Sequence, residues 1–409
     1  MKNGWLLFSI ILLFASCKNE VKVEEVKLLK TGLWKAELIV KDNKILPFTF
    51  QLNDDESIIV FNAEEEINVD EVEIKGDSIV IQMPVYEGIL KGKIVSDELI
   101  RGEFVKSSLN RKVPFILKYG DHKRFDIINK PASDVTGNWE MVFSAHSKED
   151  RYIAKGIFKQ IGEKVSGTIR TTTGDYRYLE GVMEGNRMKL STFDGAHAFL
   201  FEAEVRDNIM YGFFYSGNHW KEPFTADKNE NYELPSEESL TFLKEGYDKI
   251  EFSFPDSNGN TVSLTDERFK NKIIVVQIMG TWCPNCLDET KYYTQFYNEN
   301  KDKDVEFVSL AFEYAPTIEK ANKAIKRLVD KVKVPYPVLL AQYGTSDKKK
   351  ANEKMPMLNH VLSYPTSIFI DKKGKVRKIH TGFNGPATGE KYIEFKNEFE
   401  SFVKQLLEE

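Results

Sequence analysis

Residues 272–286 read KIIVVQIMGTWCPNC, and this stretch decides the fold of the C-terminal third of the chain. Residues 272–279 form a nearly unbroken apolar run, the pattern of a β-strand buried on both faces. Gly280 and Thr281 interrupt it, and a helical stretch runs from Pro284 to about Asn298. Cys283 and Cys286 therefore stand where a buried strand hands over to a helix. A helix N-terminus presents unpaired N–H groups and a partial positive charge, so a thiolate at Cys283 would be stabilised there. Cys286, one turn later on the same face, can attack a mixed disulfide formed at Cys283. A zinc half-site is excluded because the chain has no second Cys or His pair at ligand spacing.

Working outward, strands and helices alternate from about Glu245 to the end. The pattern predicts a strand at 305–312, a helix at 317–332, an apolar Val338-Leu339-Leu340, and strands at 367–371 and 375–381 around the turn Lys373-Gly374. A closing helix is expected near 390–407. This is an α/β domain over 245–409. Trp282-Cys283-Pro284-Asn285-Cys286, Tyr364-Pro365-Thr366 and Lys372-Lys373-Gly374, in this order of elements, resemble the thioredoxin-fold thiol–disulfide oxidoreductases of the TlpA/ResA-like group. The resemblance implies a redox disulfide between Cys283 and Cys286 and no cofactor or metal beyond that pair. It also implies that Pro365 is cis, packs on the disulfide and, with Tyr364 and Trp282, contacts substrate. Gln277 stands where cytosolic-type thioredoxins carry a buried Asp. The resemblance instead implies that Glu289, three residues after Cys286, is a desolvated carboxylate that relays the Cys286 proton. As an ordinary first-turn acid, Glu289 would merely favour the helix dipole. Asp288 beside it is expected to be the more exposed of the two. Thr290 replaces a proline usual in the group.

The middle of the chain reads differently. From about Lys30 to Asp227 the alternation has a period of two and is broken by Gly, Asn and Asp, the signature of short antiparallel strands. Thr31-Gly32-Leu33-Trp34 recurs as Thr136-Gly137-Asn138-Trp139, so two β units are expected, at 31–120 and 131–228. The second contains about eight strand-like segments, near 138–146, 151–159, 164–171, 177–183, 186–192, 197–205, 208–215 and 219–226. That count favours a closed up-and-down barrel, because closure removes exposed edges. The Gly-x-Trp opening resembles the first strand of avidin-like and lipocalin-like barrels. The fold class is thus duplicated antiparallel all-β units, small barrel or sandwich, followed by an α/β thioredoxin-like domain. Phe193, Phe199, Phe201, Tyr211, Phe213, Phe214, Tyr215 and Trp220 either fill the second unit's core or line a pocket. His146, His197 and His219 lack the spacing of a metal site. The plainer role of these units is a rigid spacer or partner-docking module.

At the N-terminus, residues 5–16 form one apolar run behind Lys2. Twelve residues rise only about 18 Å as a helix, short of a ~30 Å hydrocarbon core, so 1–16 reads as a signal peptide. Phe14-Ala15-Ser16-Cys17 resembles a bacterial lipobox, which implies lipidation at Cys17 and a solvated tether over 17–30. With Cys17 assigned to lipid, Cys283 and Cys286 are the remaining cysteines of three in the chain. A disulfide between them would close almost no loop and add little stability, which makes it a candidate for chemistry. Lys and Arg number 57 against 63 Asp and Glu, both signs interleaved without a long basic run, so no nucleic-acid partner is expected.

The sequence thus points to an exported, lipid-anchored thiol–disulfide oxidoreductase of the bacterial cell envelope, a disulfide reductase acting on envelope protein disulfides and fed by a membrane electron donor. The alternative is a ligand- or partner-binding lipoprotein whose β units bind and whose thioredoxin-like domain is accessory.

Overall fold

The computed structural model describes residues 29–120, 123–236 and 240–409. The expected signal peptide at 1–16, Cys17 and nearly all of the tether lie outside the described residues.

The repeated Thr-Gly-x-Trp motifs do the same structural work twice. Each glycine opens a strand with a positive φ (126° at Gly32, 117° at Gly137), a conformation that favours a residue without Cβ. Two residues on, Trp34 and Trp139 are fully buried, and their indole N–H groups donate to Lys30 O at 2.9 Å and Val135 O at 2.8 Å. Burial of each large ring is thereby combined with satisfaction of its one polar atom.

The strands these motifs begin belong to different closures. Gly137–Phe143 pairs with Tyr152–Ile161 and Trp220–Lys228, and Tyr152–Ile161 also pairs with Lys164–Thr171. Eight antiparallel strands in chain order thus close into an up-and-down barrel, with the two-residue strand Gly174–Asp175 added against Lys164–Thr171. Its interior is filled by side chains, among them Trp139, Met141, Phe143, Phe201 and Phe224. A barrel of this size is just wide enough for that. The first unit has nine strands, and Glu65–Val69 and Glu71–Lys75 are the two ends of its sheet order. Only Asp70 joins them, too short a link for even a two-residue hairpin, so the sheet stays open there. The units share a core: Phe48 of the first stacks on Phe193 of the second at 4.3 Å, and Leu200 and Tyr215 join the same cluster. Tyr211 and Phe213 point outward, 58% and 42% exposed, so the second unit's aromatics divide between core, surface and an intervening cavity.

The C-terminal domain has a five-stranded sheet in the order Val338–Gln342, Val305–Phe312, Ile273–Met279, Thr366–Ile370, Val376–Thr381. The first three strands pair in parallel, Thr366–Ile370 runs antiparallel to Ile273–Met279, and Val376–Thr381 pairs antiparallel with Thr366–Ile370. All seven residues of Ile273–Met279 are buried, as a central strand covered on both faces requires. Helix Ile318–Val332 is N-capped by Thr317 and buries Ala321, Ile325 and Leu328 along one stripe. A short helix, Lys348–Lys354, goes beyond the sequence expectation; its run of lysines carries no apolar period. Among the described residues no helix is long and apolar enough to cross a membrane.

Candidate active site

The buried strand Ile273–Met279 delivers the chain to Gly280, and helix Pro284–Glu299 begins four residues later. Proline in the first turn suits that position, since its missing N–H would lack a helical partner anyway. Cys283 is the N-cap, and its Sγ accepts a hydrogen bond from Cys286 N at 3.2 Å. The two cysteines form a disulfide with Cα atoms 5.2 Å apart. Cys286 is fully buried and Cys283 is 7% exposed, so Cys283 is the more accessible residue of the pair. The Tyr364–Pro365 peptide is cis, and Tyr364 O lies 3.5 Å from Cys283 Sγ. Trp282 meets Tyr364 edge-on at 5.5 Å and donates its indole N–H to Phe312 O at 3.0 Å. The sequence-predicted residues Trp282, Cys283, Cys286, Tyr364 and Pro365 thus converge at one place.

Glu289 lies beneath them and is fully buried, unlike an ordinary first-turn acid on the helix surface. Gln277 Nε2 donates to its Oε2 at 2.8 Å, while the hydroxyls of Tyr293 and Ser367 each lie 3.0 Å from Oε1. Burial pushes the carboxyl up to about 7, against the opposing pull of these three donors. Gln277 also bonds Ser309 and Thr290, so the position lacking a titratable group instead orients the one that has it. Thr290 reaches Cys286 O at 2.7 Å and leaves the helix intact. Asp288 is the more exposed of the two, as expected, but at only 8%, because Arg177 of the second β unit covers it with an ion pair of 2.8 Å.

Two features escaped the sequence reading. Glu313, at the end of the neighbouring strand, is a second buried carboxyl, and burial raises it to about 7 although Thr281 donates to it from both N and Oγ1 at 2.8 Å. No spacing in the sequence links residues 281 and 313. The other is the contact between the redox site and the β barrel. Thr173 O accepts from Ser363 Oγ at 3.3 Å, and Asp175 accepts from Asn285 Nδ2 at 3.2 Å and from Gly385 N at 2.7 Å. Arg177 donates to Pro284 O at 3.1 Å and pairs with Asp288, Glu65 and Asp194, tying all three parts of the chain together. In the sequence, Gly174-Asp175 reads only as a turn. Among the described residues no three His, Cys, Asp or Glu side chains gather as a metal site would need.

A strand–CxxC–helix unit with a facing cis-proline loop and a buried acid can carry out reversible dithiol–disulfide exchange. Comparison with known proteins agrees. The Redoxin family matches residues 245–393. The thioredoxin-like protein YneN of Bacillus subtilis is 30% identical over 140 residues, 34% of this chain and 73% of that protein. The thiol-disulfide oxidoreductase ResA of the same organism is 28% identical over 142 residues, 34% of this chain and 69% of that one. Among solved structures, a thiol-disulfide oxidoreductase from Bacteroides fragilis is 20% identical, covering 36% of this chain and 99% of that one with a TM-score of 0.27. Through its C-terminal part, the chain belongs to the thioredoxin-like thiol–disulfide oxidoreductases of the ResA/TlpA-like kind.

Proposed function

We propose that the protein is an envelope disulfide reductase in which Cys283 attacks, Cys286 resolves and Glu289 relays the proton. The Cys283 thiolate attacks one sulfur of a substrate disulfide, the substrate S–S bond breaks, and the departing sulfur takes up a proton. A mixed disulfide with Cys283 remains. Cys286 then gives its proton to the Glu289 carboxylate and attacks Cys283 Sγ, the Cys283–substrate S–S bond breaks, and the second substrate sulfur leaves as a thiolate that takes up a proton as Glu289 releases the one it accepted. The enzyme pair has now lost two electrons, which a membrane donor returns. Trp282, Tyr364 and Pro365 contact the substrate, envelope protein disulfides are its class, and acyl chains on Cys17 anchor the protein at the membrane.

The observation that carries this reading is the full burial of Glu289 one turn beyond Cys286, under a disulfide at a helix N-terminus. The test is insulin reduction by the full chain and its single-cysteine variants. Cys283→Ser should abolish turnover, and Cys286→Ser should accumulate the mixed disulfide. A wild-type rate from Cys283→Ser would end the proposal. Direction follows from the equilibrium potential of the pair in glutathione or dithiothreitol buffers: a value of about −250 mV or lower supports a reductant, and one of about −120 mV makes it an oxidant.

A further inference from the structure

The barrel's interior is packed with side chains, and a cavity of about 480 Å³ opens beside that core, where all three parts of the chain meet. Its size is that of a small-molecule site, and junctions between domains are where such sites occur. The first β unit contributes Lys106 and Arg111, the second contributes Tyr176, Phe199, Phe214 and Trp220, and the redox domain contributes Trp282, the neighbour of Cys283.

Charge decides what fits. No Asp or Glu is among the described residues that line the cavity. The Arg111 guanidinium has no hydrogen bond or ion pair among the described residues, and burial lowers its proton affinity. Lys106 Nζ donates to Ala196 O at 2.9 Å and is pushed down to about 8 by burial. His219, on the same wall, is pushed down to about 4 by burial first and then by Arg111 and Lys106. Glu87 and Asp194 act on Lys106 from behind the wall, whereas no carboxylate acts on Arg111, so its partly desolvated planar guanidinium favours an anionic group held through paired N–H donors.

The remaining walls are aromatic. Phe199 and Phe214 face each other edge-on at 5.0 Å, and both are nearly buried. Trp220 is 43% exposed, and its indole meets no other ring among the described residues. An unpartnered indole at a rim offers a flat face to a planar ring.

We propose that this cavity binds a small aromatic anion, its acidic group on Arg111 and Lys106 and its ring between Trp220 and the Phe199–Phe214 wall. The site adjoins the redox centre through Trp282, but its binding does not depend on the cysteine chemistry. The test is calorimetric titration of the oxidised full chain with 1-naphthalenesulfonate and, in parallel, the uncharged 1-naphthalenemethanol. The expected result is one sulfonate per chain, bound at least tenfold more tightly than the alcohol. Arg111→Gln should weaken the sulfonate at least tenfold while leaving the alcohol within twofold. Ser216→Phe, which places a ring in the cavity, should remove binding of both without changing the far-ultraviolet circular dichroism. Absence of saturable binding, equal affinities for the two probes, or an unchanged sulfonate affinity in Arg111→Gln would overturn the proposal.

Discussion

Glu289→Gln isolates the effect of a single buried carboxyl. In the unfolded chain this group ionises near its ordinary 4.5, and in the folded protein burial raises it to about 7. At ~1.4 kcal/mol per pH unit, that difference is worth about 3 kcal/mol. The folded pKa lies above the unfolded one, so the folded state holds the proton longer. Below about pH 4.5 both states are protonated and the group costs nothing. From there to about pH 7 the unfolded chain binds fewer protons than the folded one, and stability falls as pH rises; above that the full cost persists. Glutamine has the same shape and no such titration, and the Tyr293 and Ser367 hydroxyls can rotate to accept from its amide. Guanidinium unfolding of the oxidised protein, followed for wild type and variant between pH 4.5 and 8, should show the wild type losing about 3 kcal/mol relative to Glu289→Gln. The same substitution should slow resolution of the mixed disulfide roughly a hundredfold at pH 8 by removing the proton acceptor. Stability curves that stay parallel within ~0.5 kcal/mol across the range would refute the raised pKa.

Other outcomes follow from the packing. Arg177→Met leaves the carboxylates of Asp288, Glu65 and Asp194 facing one another out of water and should cost about 3–5 kcal/mol by denaturant unfolding; a loss under ~1 kcal/mol would contradict the ion network. At Gly382, φ is +87° and an added Cβ would sit 2.5 Å from Thr173 O. Gly382→Ala should therefore loosen the contact with the barrel, seen as faster hydrogen exchange over residues 171–177, and unchanged exchange there would count against that contact. Trp34→Ala and Trp139→Ala should each cost about 3–5 kcal/mol, read as a lower denaturant midpoint, because each empties a fully buried site and orphans a carbonyl.

The redox domain was legible in the sequence because its signals are local. A strand buried on both faces writes itself as consecutive apolar residues, and Val305–Phe312 has the bounds that its run of Val, Phe and Leu predicts. The barrel strands were legible for a related reason, since each is a short period-2 segment ended by a turn. Glu289 was legible only through the resemblance, whose members carry a glutamate three residues after the second cysteine. Lys348–Lys354 was not, because a lysine-rich helix held by an Asp347 cap has no apolar stripe to read.

The sequence alone determined the two classes of fold, the motif bearing the cysteines and the repeat that opens each β unit, all of which depend on residues within a few positions of one another. The tertiary structure decided everything that rests on distant residues meeting. It closed one sheet and left the other open, through the pairing of Tyr152–Ile161 with Lys164–Thr171 and the single-residue link at Asp70. It buried Asp288 under Arg177, more than a hundred residues away, and drew Lys106, Arg111, Trp220 and Trp282 around one cavity. Burial and charge pairing depend on distance through space, and a sequence records only distance along the chain.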